Sequence, residues 1–386
     1  MNIAILTQSI SANYGCNLQA FALQTVIKRL GHNVFIIDRW GKNAKATCAE
    51  RIKTWVIDFI KTIIKICIFK PVYLAIKENE RGYFWKNIIC FQKRYLNKSE
   101  RIYSTEGILL YVKKLGIDCF IVGSDQVWRP RYNINGMLEN MFLDFSEGMN
   151  VKRIAYAASF GVDKWEFSDE QTNTCSRLVK KFDKVSVREM SGIKLCNKFF
   201  GVHAELVLDP TLLLGTKDYN ILIEHSNTTA PQGGLFCYIL DSSAEAKQAI
   251  RYFEQKTKLS SYTCLPLVPE GGYRLMHKKE AVLPSPEQWL RSFRDAQMVF
   301  VDSFHGAVFS IIYNKPFWVL GNKKRGMARF DSLLSLFGLQ HRLITIDEIG
   351  RIDIFSPIQW ECVNAKMKGL QAKSEQYLKE ALGMSC

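Results

Sequence analysis

Residues 302–306, Asp-Ser-Phe-His-Gly, form a short polar stretch between two apolar segments. His305 carries an imidazole that can take up or release a proton near neutral pH. Ser303 can cap a helix or hydrogen-bond a ligand, and Gly306 allows the backbone to approach a ligand closely. We expect acid–base chemistry on an anionic substrate, with the imidazole held by Asp302 or Ser303.

The segments around this stretch have the pattern of a parallel β-α-β unit. Residues 298–301 and 317–320 are short apolar runs typical of buried strands, and residues 307–313 suit a short helix. In open parallel sheets, ligands bind at the carboxyl ends of the strands, where the following helix offers free N–H groups to an anion. His305 is therefore expected at the ligand-binding edge of a sheet, although a lone histidine at a helix start is more often a cap or a packing residue.

Polar residues also follow two other predicted strands. Ser124 and Asp125 come after the apolar run 117–123, and Arg188 follows residues 184–187. The Asp125 carboxylate can act as a base or bind a sugar, but the sequence by itself favours a helix N-cap. The Arg188 guanidinium can bind a phosphate or carboxylate through two hydrogen bonds, or form an ion pair with a neighbouring carboxylate.

The chain opens with the pattern of a Rossmann-like unit. A strand is predicted at 2–7, a loop at 8–15, a helix at 17–30 and a second strand at 33–38. The loop lacks the GxGxxG spacing, so a dinucleotide is not expected. It ends in three residues that can contact a ligand, namely Asn13, Tyr14 and Gly15.

Aromatic and basic residues add further candidates. Tyr14 and Trp128 can stack on a sugar ring or belong to the core. Arg325 and Arg329 follow the apolar run 317–320 and can supply positive charge for an anionic ligand. Asp209, which precedes a proline, is expected to order its turn.

Composition limits the class of protein. The chain has 386 residues, 47% hydrophobic and 23% charged, which suits a globular protein of two domains. Its formal net charge of +15 favours an anionic partner such as a phosphorylated substrate, an acidic membrane surface or nucleic acid. The eleven cysteines include no CxxC pair, and neither they nor the six histidines have metal-ligand spacing. We therefore expect no metal and, since the first residues are strand-like rather than a secretory signal, a cytoplasmic location.

We predict an α/β fold of two Rossmann-like domains that face each other across a cleft, an arrangement that resembles the GT-B architecture. The N-terminal domain is predicted to span residues 1–227, with a helical insertion at about 51–98. A polar hinge begins the C-terminal domain, which is predicted at 228–356. The tail, 357–386, looks helical and can cross back to the first domain.

The insertion at about 51–98 is rich in apolar residues, so we compared it with membrane-binding segments. Its apolar residues are interrupted by Asp58, Lys61 and Lys65, so no run reaches the roughly 20 residues that a spanning helix needs. We expect helices packed on the N-terminal domain, with an interfacial helix on anionic lipid as the alternative. The basic residues that continue to Lys98 are compatible with peripheral contact with an anionic membrane.

Several of these motifs resemble those of the polysaccharide pyruvyl transferase family. They are residues 13–15, Asn-Tyr-Gly; residues 209–212, Asp-Pro-Thr-Leu; residues 302–306 followed by Asn314-Lys315-Pro316; and the residues from Arg329 to Leu334. Matching segments run from about Asn2 to about Arg342. The resemblance implies transfer of a pyruvyl group from phosphoenolpyruvate to two hydroxyls of a sugar, which gives a cyclic ketal and phosphate during capsule or exopolysaccharide synthesis.

With this reaction in view, we expect His305 and Asp125 to be the catalytic acid and base. Phosphoenolpyruvate, a substrate rather than a cofactor, is expected to contact Arg188, Ser303, His305, Gly306, Arg325 and Arg329. The sugar acceptor, free or lipid-linked, is expected to contact Asn13, Tyr14, Gly15, Ser124, Asp125 and Trp128.

The sequence is also compatible with two other functions. The same cleft can serve a glycosyltransferase that uses a nucleotide-sugar, which dependence on a nucleoside diphosphate donor would reveal. A basic protein that binds nucleic acid or membrane without catalysis is the third reading, and steep salt dependence of binding would indicate it. The chain has no interleaved aromatic and basic RNA motif and no recognition-helix pattern, so nucleic acid is not an expected partner.

Overall fold

The computed structural model describes residues 1–41, 73–76, 80–133, 136–266, 272–274, 277–321 and 327–384. Labels follow chain order within these residues. The strands are β1 Asn2–Leu6, β2 Asn33–Ile37, β3 Tyr73–Ala75, β4 Cys119–Val122, β5 Lys152–Ala158, β6 Lys184–Val187, β7 Glu205–Leu206, β8 Leu235–Tyr238, β9 Ser261–Tyr262, β10 Gly272–Arg274, β11 Met298–Val301, β12 Phe317–Leu320 and β13 Leu343–Ile344.

The helices connect these strands and cover the faces of the sheets. They are α1 Tyr14–Arg29, α2 Arg81–Phe84, α3 Lys86–Tyr95, α4 Thr105–Lys113, α5 Met137–Asn140, α6 Asp169–Val179, α7 Met190–Leu195, α8 Thr216–Glu224, α9 Ala244–Thr257, α10 Pro286–Asp295, α11 Phe304–Ile312, α12 Ala328–Phe337 and α13 Trp360–Leu382.

Two parallel sheets organise the molecule. The first has six strands in the order β2-β1-β4-β5-β6-β7, and the second has five in the order β13-β12-β11-β8-β9. The central strands β4, β8, β11 and β12 are buried along their whole length, which explains why each is a short apolar run rather than an alternating one. A separate antiparallel pair joins β3 to β10, two segments that the sequence pattern did not identify.

Helix α13 returns from the second sheet to the first. The Tyr377 hydroxyl donates to the carbonyl of Ala155 in β5 at 2.9 Å, and the Ser374 hydroxyl oxygen accepts from the backbone N–H of Leu208 at 3.0 Å. Both hydroxyls are buried, so each bond satisfies a group that would otherwise lose its water. The C-terminal helix therefore packs against the sheet formed by the first half of the chain.

Local capping explains two helix starts that the sequence placed too late. The Asn13 side chain accepts from the N–H of Cys16 at 3.0 Å, so α1 begins at Tyr14 rather than at residue 17. Ser303 caps α11 in the same way, and the helix begins at Phe304 rather than at residue 307.

The edge strand of the second sheet is short. β8 pairs with Ser261 and Tyr262, and this register ends the strand before Thr263. Within the insertion predicted at about 51–98, α2 and α3 are helical but β3 is a strand, and residues 51–72 and 77–79 lie outside the described part of the chain. Searched over the described residues, no helix combines the length and apolar character that crossing a membrane requires.

Candidate active site

Four charged or titratable side chains from both sheets meet at one place. Asp125 follows β4, Arg188 follows β6, Asp209 lies three residues after β7, and His305 is in the first turn of α11, which follows β11. Each therefore lies at the carboxyl end of a parallel strand, where this class of sheet places its ligands. Because side chains from the two sheets contact one another, the carboxyl edges of the two sheets face each other.

Arg188 lies at the centre of this cluster. Its side chain is 1% exposed, and its two terminal nitrogens donate to Asp209 at 2.7 Å and to Asp125 at 3.2 Å. Its Nε lies 3.8 Å from the carboxylate of Glu189, which is fully buried. Burial opposes the charge, but Asp209, Asp125 and Glu189 outweigh it and raise the pKa of Arg188. The guanidinium, expected to bind the donor, is thus occupied by carboxylates of the protein itself.

Asp209 joins Arg188 to His305. One carboxylate oxygen accepts from the backbone N–H and the hydroxyl of Thr211, at 3.0 and 2.6 Å, which is the turn-ordering role expected from the sequence. The other oxygen faces Arg188 and lies 3.8 Å from Nε2 of His305. Burial would raise the pKa of Asp209, but His305, Arg188 and Thr211 hold it well below its usual range. Asp209 is therefore an anion throughout the neutral pH range.

His305 is enclosed on two sides. A Cβ on Gly15, at the start of α1, would lie 2.0 Å from the imidazole Nδ1, so only a glycine leaves room for this ring. Its Nε2 faces Asp209 and makes no hydrogen bond to any described residue. The side chain is 11% exposed. Residues of both sheets thus fix the imidazole.

The predicted supports of the imidazole, Asp302 and Ser303, have other partners. The Asp302 carboxylate accepts from the backbone N–H groups of Leu240 and Asp241 at 2.7 and 2.8 Å, which ties the end of β8 to the end of β11. The Ser303 hydroxyl oxygen accepts from the N–H of Gly306 at 3.1 Å. The prediction that either residue holds His305 is therefore wrong, because their oxygens organise the backbone and Asp209 faces the ring.

Arg329, in the first turn of α12, provides a second guanidinium beside the cluster. Its Cζ lies 5.7 Å from the centre of the Phe304 ring, and that of Arg188 lies 4.5 Å from the same ring. Its Nε is buried and has no hydrogen-bond partner among the described residues. Burial, and then the like charge of Arg188, lower the pKa of Arg329 to about 10. An incoming anion could accept a hydrogen bond from this Nε.

Asp125 remains partly accessible. Its carboxylate accepts from the N–H of Gln126 at 2.9 Å and from Arg188 at 3.2 Å, and the side chain is 15% exposed. Ser124, by contrast, is fully buried. The Ser124 hydroxyl lies 2.9 Å from the carbonyl of Ala157 and 3.2 Å from Asp209. Ser124 therefore supports the cluster from within and cannot contact a sugar as predicted.

The two aromatic residues predicted to stack on a sugar lie in the interior. Trp128 is fully buried, stacks on Phe142 at 5.1 Å and donates from its indole to a backbone carbonyl. Tyr14 is 2% exposed, stacks on Trp289 at 5.5 Å and donates to the carbonyl of Pro284 at 3.0 Å. Both rings pack in the protein core, and Tyr14 also fastens α1 to the second half of the chain.

The remaining predicted residues have local roles or lie outside the described chain. Asn13 is exposed and caps α1. A Cβ on Gly306 would lie 2.7 Å from the Ser303 hydroxyl and 2.9 Å from Val301, so this glycine permits close packing of helix on strand. Arg325 belongs to residues 322–326, which are not described. In the described part of the chain, no group of three or more His, Cys, Asp or Glu side chains is arranged to hold a metal ion.

Comparison with known proteins shows the family of this chain. The sequence profile described as "Polysaccharide pyruvyl transferase" matches residues 13–324. The chain belongs to the polysaccharide pyruvyl transferase family. A search of curated proteins returns no match.

Solved structures resemble this family member in fold. Arabidopsis thaliana UGT89C1 complexed with UDP-L-rhamnose is similar over 99% of this chain and 98% of that chain, with a TM-score of 0.50 and 8% identity. The glycotransferase of kitacinnamycin covers 99% of each chain with a TM-score of 0.44 and 11% identity. Identity this low shows the fold alone. The predicted fold, two Rossmann-like domains in a GT-B-like arrangement, is confirmed.

The site of this pyruvyl transferase family member contains two residues whose part the sequence analysis missed. From the sequence, Asp209 is expected only to order a turn, and Glu189 is only one of the neighbouring carboxylates with which Arg188 can form an ion pair. Glu189 is fully buried, and its carboxylate accepts from the Ser159 hydroxyl and the N–H groups of Phe160 and Gly161 at 2.8 to 3.1 Å. Asp209 follows the end of a strand, as Arg188 does, and this position could have identified it as a site residue.

Proposed function

We propose that the chain transfers a pyruvyl group from phosphoenolpyruvate to two hydroxyls of a sugar and releases phosphate, forming a cyclic ketal in cell-surface polysaccharide synthesis. Membership of the family supports this class of transferase. The observation that carries the proposal is the meeting of His305 and Asp209 across the two sheets, beside the partly accessible Asp125. An acid and a base are thus present at one edge, as the reaction requires.

In this proposal, His305 delivers a proton to the methylene carbon of phosphoenolpyruvate. The adjacent carbon becomes electrophilic and bonds to the first sugar hydroxyl, whose proton passes to Asp125. Cleavage of the carbon–oxygen bond to phosphate and attack by the second hydroxyl complete the ketal. The two hydroxyl protons balance the proton gained by the methyl group and the proton carried away by phosphate. Asp209 stabilises the protonated imidazole before transfer, because its carboxylate is charged and lies 3.8 Å away.

The donor is a small polyanion and needs cations in the site. Arg188 supplies positive charge, but three carboxylates already surround it. Arg329 is the better donor ligand, because its buried Nε lacks a partner among the described residues. A guanidinium can bind a carboxylate or phosphate through two parallel hydrogen bonds. We therefore assign donor binding first to Arg329.

The test is phosphate release from phosphoenolpyruvate with galactose-, glucose- and mannosamine-type acceptors. The wild type is compared with His305→Gln and Arg329→Met, each checked for folding by circular dichroism. Acceptor-dependent release that falls at least about 100-fold in His305→Gln would support the proposal. Turnover of a nucleotide-sugar, without phosphate release from phosphoenolpyruvate, would instead favour the glycosyltransferase reading that the fold allows.

The acceptor is proposed to be presented near an anionic membrane, as a lipid-linked sugar would be. The formal net charge of +15 supports such peripheral contact through attraction to acidic lipids. Flotation with vesicles that contain anionic lipid, at low and at high salt, tests this. Equal recovery with neutral and anionic vesicles would contradict it.

A further inference from the structure

We propose that Tyr132 is the platform on which the acceptor sugar stacks. This inference rests on the proposed function, which requires a pyranose ring to lie beside Asp125. Sugar rings have apolar C–H faces that pack on aromatic rings, and the two aromatic residues predicted for this contact are in the core. An aromatic ring that stacks on the acceptor would therefore be a different one.

Tyr132 has the exposure that a platform needs. Its side chain is 47% exposed, in the segment between β4 and α5 that also carries Asp125. The other strongly exposed aromatic residues of the described chain, Tyr83, Tyr103 and Phe355, lie in other segments. Tyr132 is thus an exposed ring on the same connection as the proposed base.

One face of the Tyr132 ring is covered by a fixed cation. The Arg129 guanidinium carbon lies 5.1 Å from the ring centre. Arg129 is itself held by two bonds to Glu166, at 2.9 and 3.0 Å, and by one to the side chain of Gln126 at 3.0 Å. A ring whose cationic neighbour is immobilised loses little freedom when a ligand packs on its open face.

The backbone on either side of Tyr132 is also held. The Asn133 side chain donates to the carbonyls of Val127 and Arg129 at 2.8 and 3.0 Å, and it accepts from the amide of Gln8 at 3.2 Å. Because these bonds close the segment on itself and fasten it to the loop after β1, the ring is positioned before any ligand arrives.

Tyr132 is linked to the proposed base by two contacts. The Arg129 guanidinium covers the ring and donates to the side chain of Gln126, the residue that follows Asp125. Tyr132 also contributes to the electrostatic environment of Arg329, the proposed donor ligand. A sugar packed on this ring would therefore have hydroxyls near the proposed base.

The experiment measures acceptor binding separately from turnover. Methyl glycosides of galactose, glucose and mannosamine type are titrated by saturation-transfer NMR into wild type, Tyr132→Ala, Tyr132→Phe and Tyr83→Ala. Tyr83 is the matched control, since it is 37% exposed and lies 5.4 Å from the Lys86 ammonium but on a different segment. Phosphoenolpyruvate affinity is measured by calorimetry on the same four proteins.

We expect Tyr132→Ala to raise the acceptor Kd about three- to tenfold, while Tyr132→Phe and Tyr83→Ala stay near wild type. Phosphoenolpyruvate affinity should not change. If the wild type releases phosphate and Tyr132→Ala binds the acceptor as tightly as the wild type does, Tyr132 is not the platform and the proposed function stands. If sugar binding depends on Tyr132 but phosphoenolpyruvate is not turned over, Tyr132 is the platform and phosphoenolpyruvate is not the donor. A wild type that binds no sugar would overturn both.

Discussion

Nε2 of His305 lies 3.8 Å from the carboxylate of Asp209, although the two residues belong to different sheets. Asp209 follows β7 at the edge of the first sheet, and His305 begins the helix after β11 in the second. Their contact exists only while the two carboxyl edges face each other. The acid–base function that we propose is therefore a property of the assembled pair of domains and of neither sheet alone.

The first prediction concerns Asp209→Asn. An amide cannot stabilise a protonated imidazole as a carboxylate does, so we expect kcat to fall about 100-fold while phosphoenolpyruvate still binds through Arg329. Phosphate release gives kcat, and calorimetric titration with phosphoenolpyruvate gives the donor affinity.

Thr211→Val is the control for this variant, because it removes the 2.6 Å hydrogen bond to the same carboxylate and keeps the charge. Its effect on kcat should be much smaller. A kcat of Asp209→Asn that matches that of Thr211→Val would mean that the charge of the carboxylate does not act on His305.

The second prediction separates the two arginines of the site. Removing Arg188 leaves Asp125, Asp209 and Glu189 without their shared cation, and breaking a buried ion pair in this way typically costs about 3–5 kcal/mol. Arg188→Met should therefore unfold at clearly lower urea concentration. Arg329→Met should lose less stability and should mainly weaken phosphoenolpyruvate binding, since the Arg329 Nε donates no hydrogen bond to any described residue.

Urea unfolding and calorimetric titration with phosphoenolpyruvate, run on both arginine variants, test this division. The opposite pattern would be a stable Arg188→Met protein without donor affinity beside an Arg329→Met protein with normal affinity. That result would restore Arg188 as the donor ligand expected from the sequence.

The third prediction is a dependence of stability on acid. His305, Arg188 and Thr211 outweigh burial and hold the pKa of Asp209 well below its usual value of about 3.9. A carboxyl whose pKa is lowered by folding stabilises the native state fully above its unfolded pKa, and this contribution is lost as pH falls towards the folded value. Wild type should therefore lose stability more steeply than Asp209→Asn between about pH 5 and pH 3. Parallel urea midpoints for the two proteins over that range would contradict the lowered pKa.

The sequence predicted the fold and the strand-end positions better than the partners of each side chain. Short buried runs such as Lys184–Val187 and Phe317–Leu320 are strands within the predicted bounds, because parallel strands covered on both faces leave a continuous apolar signal. Asp125, Arg188 and His305 were identified by the rule that polar residues after such strands face a ligand. The pairing of His305 with Asp209 could not be predicted, since no local pattern reports which strand ends of two sheets meet.

Aromatic residues show the same limit. Trp128 follows a strand as Asp125 does, and its sequence position is compatible with a sugar site. The structure buries it against Phe142 and leaves Tyr132, four residues later, exposed. Which of two nearby rings turns inward depends on the packing available in the whole domain, and a single sequence does not contain that information.

The last prediction concerns Gly15→Ala. A Cβ at this position would lie 2.0 Å from Nδ1 of His305, too close for both to stay in place. Alanine in a helix is otherwise more stable than glycine by roughly 0.5–1 kcal/mol, so α1 itself should not be weakened. The imidazole must shift, and a displacement of about 1 Å in a catalytic group can lower the rate about 100-fold.

Gly369→Ala, in α13, is the matched control for Gly15→Ala, because its new Cβ meets nothing within 4 Å. We expect Gly15→Ala to keep its helical circular dichroism and lose most of its phosphate release, while Gly369→Ala keeps both. Full activity in Gly15→Ala would show that the position of His305 against α1 is not needed for the reaction.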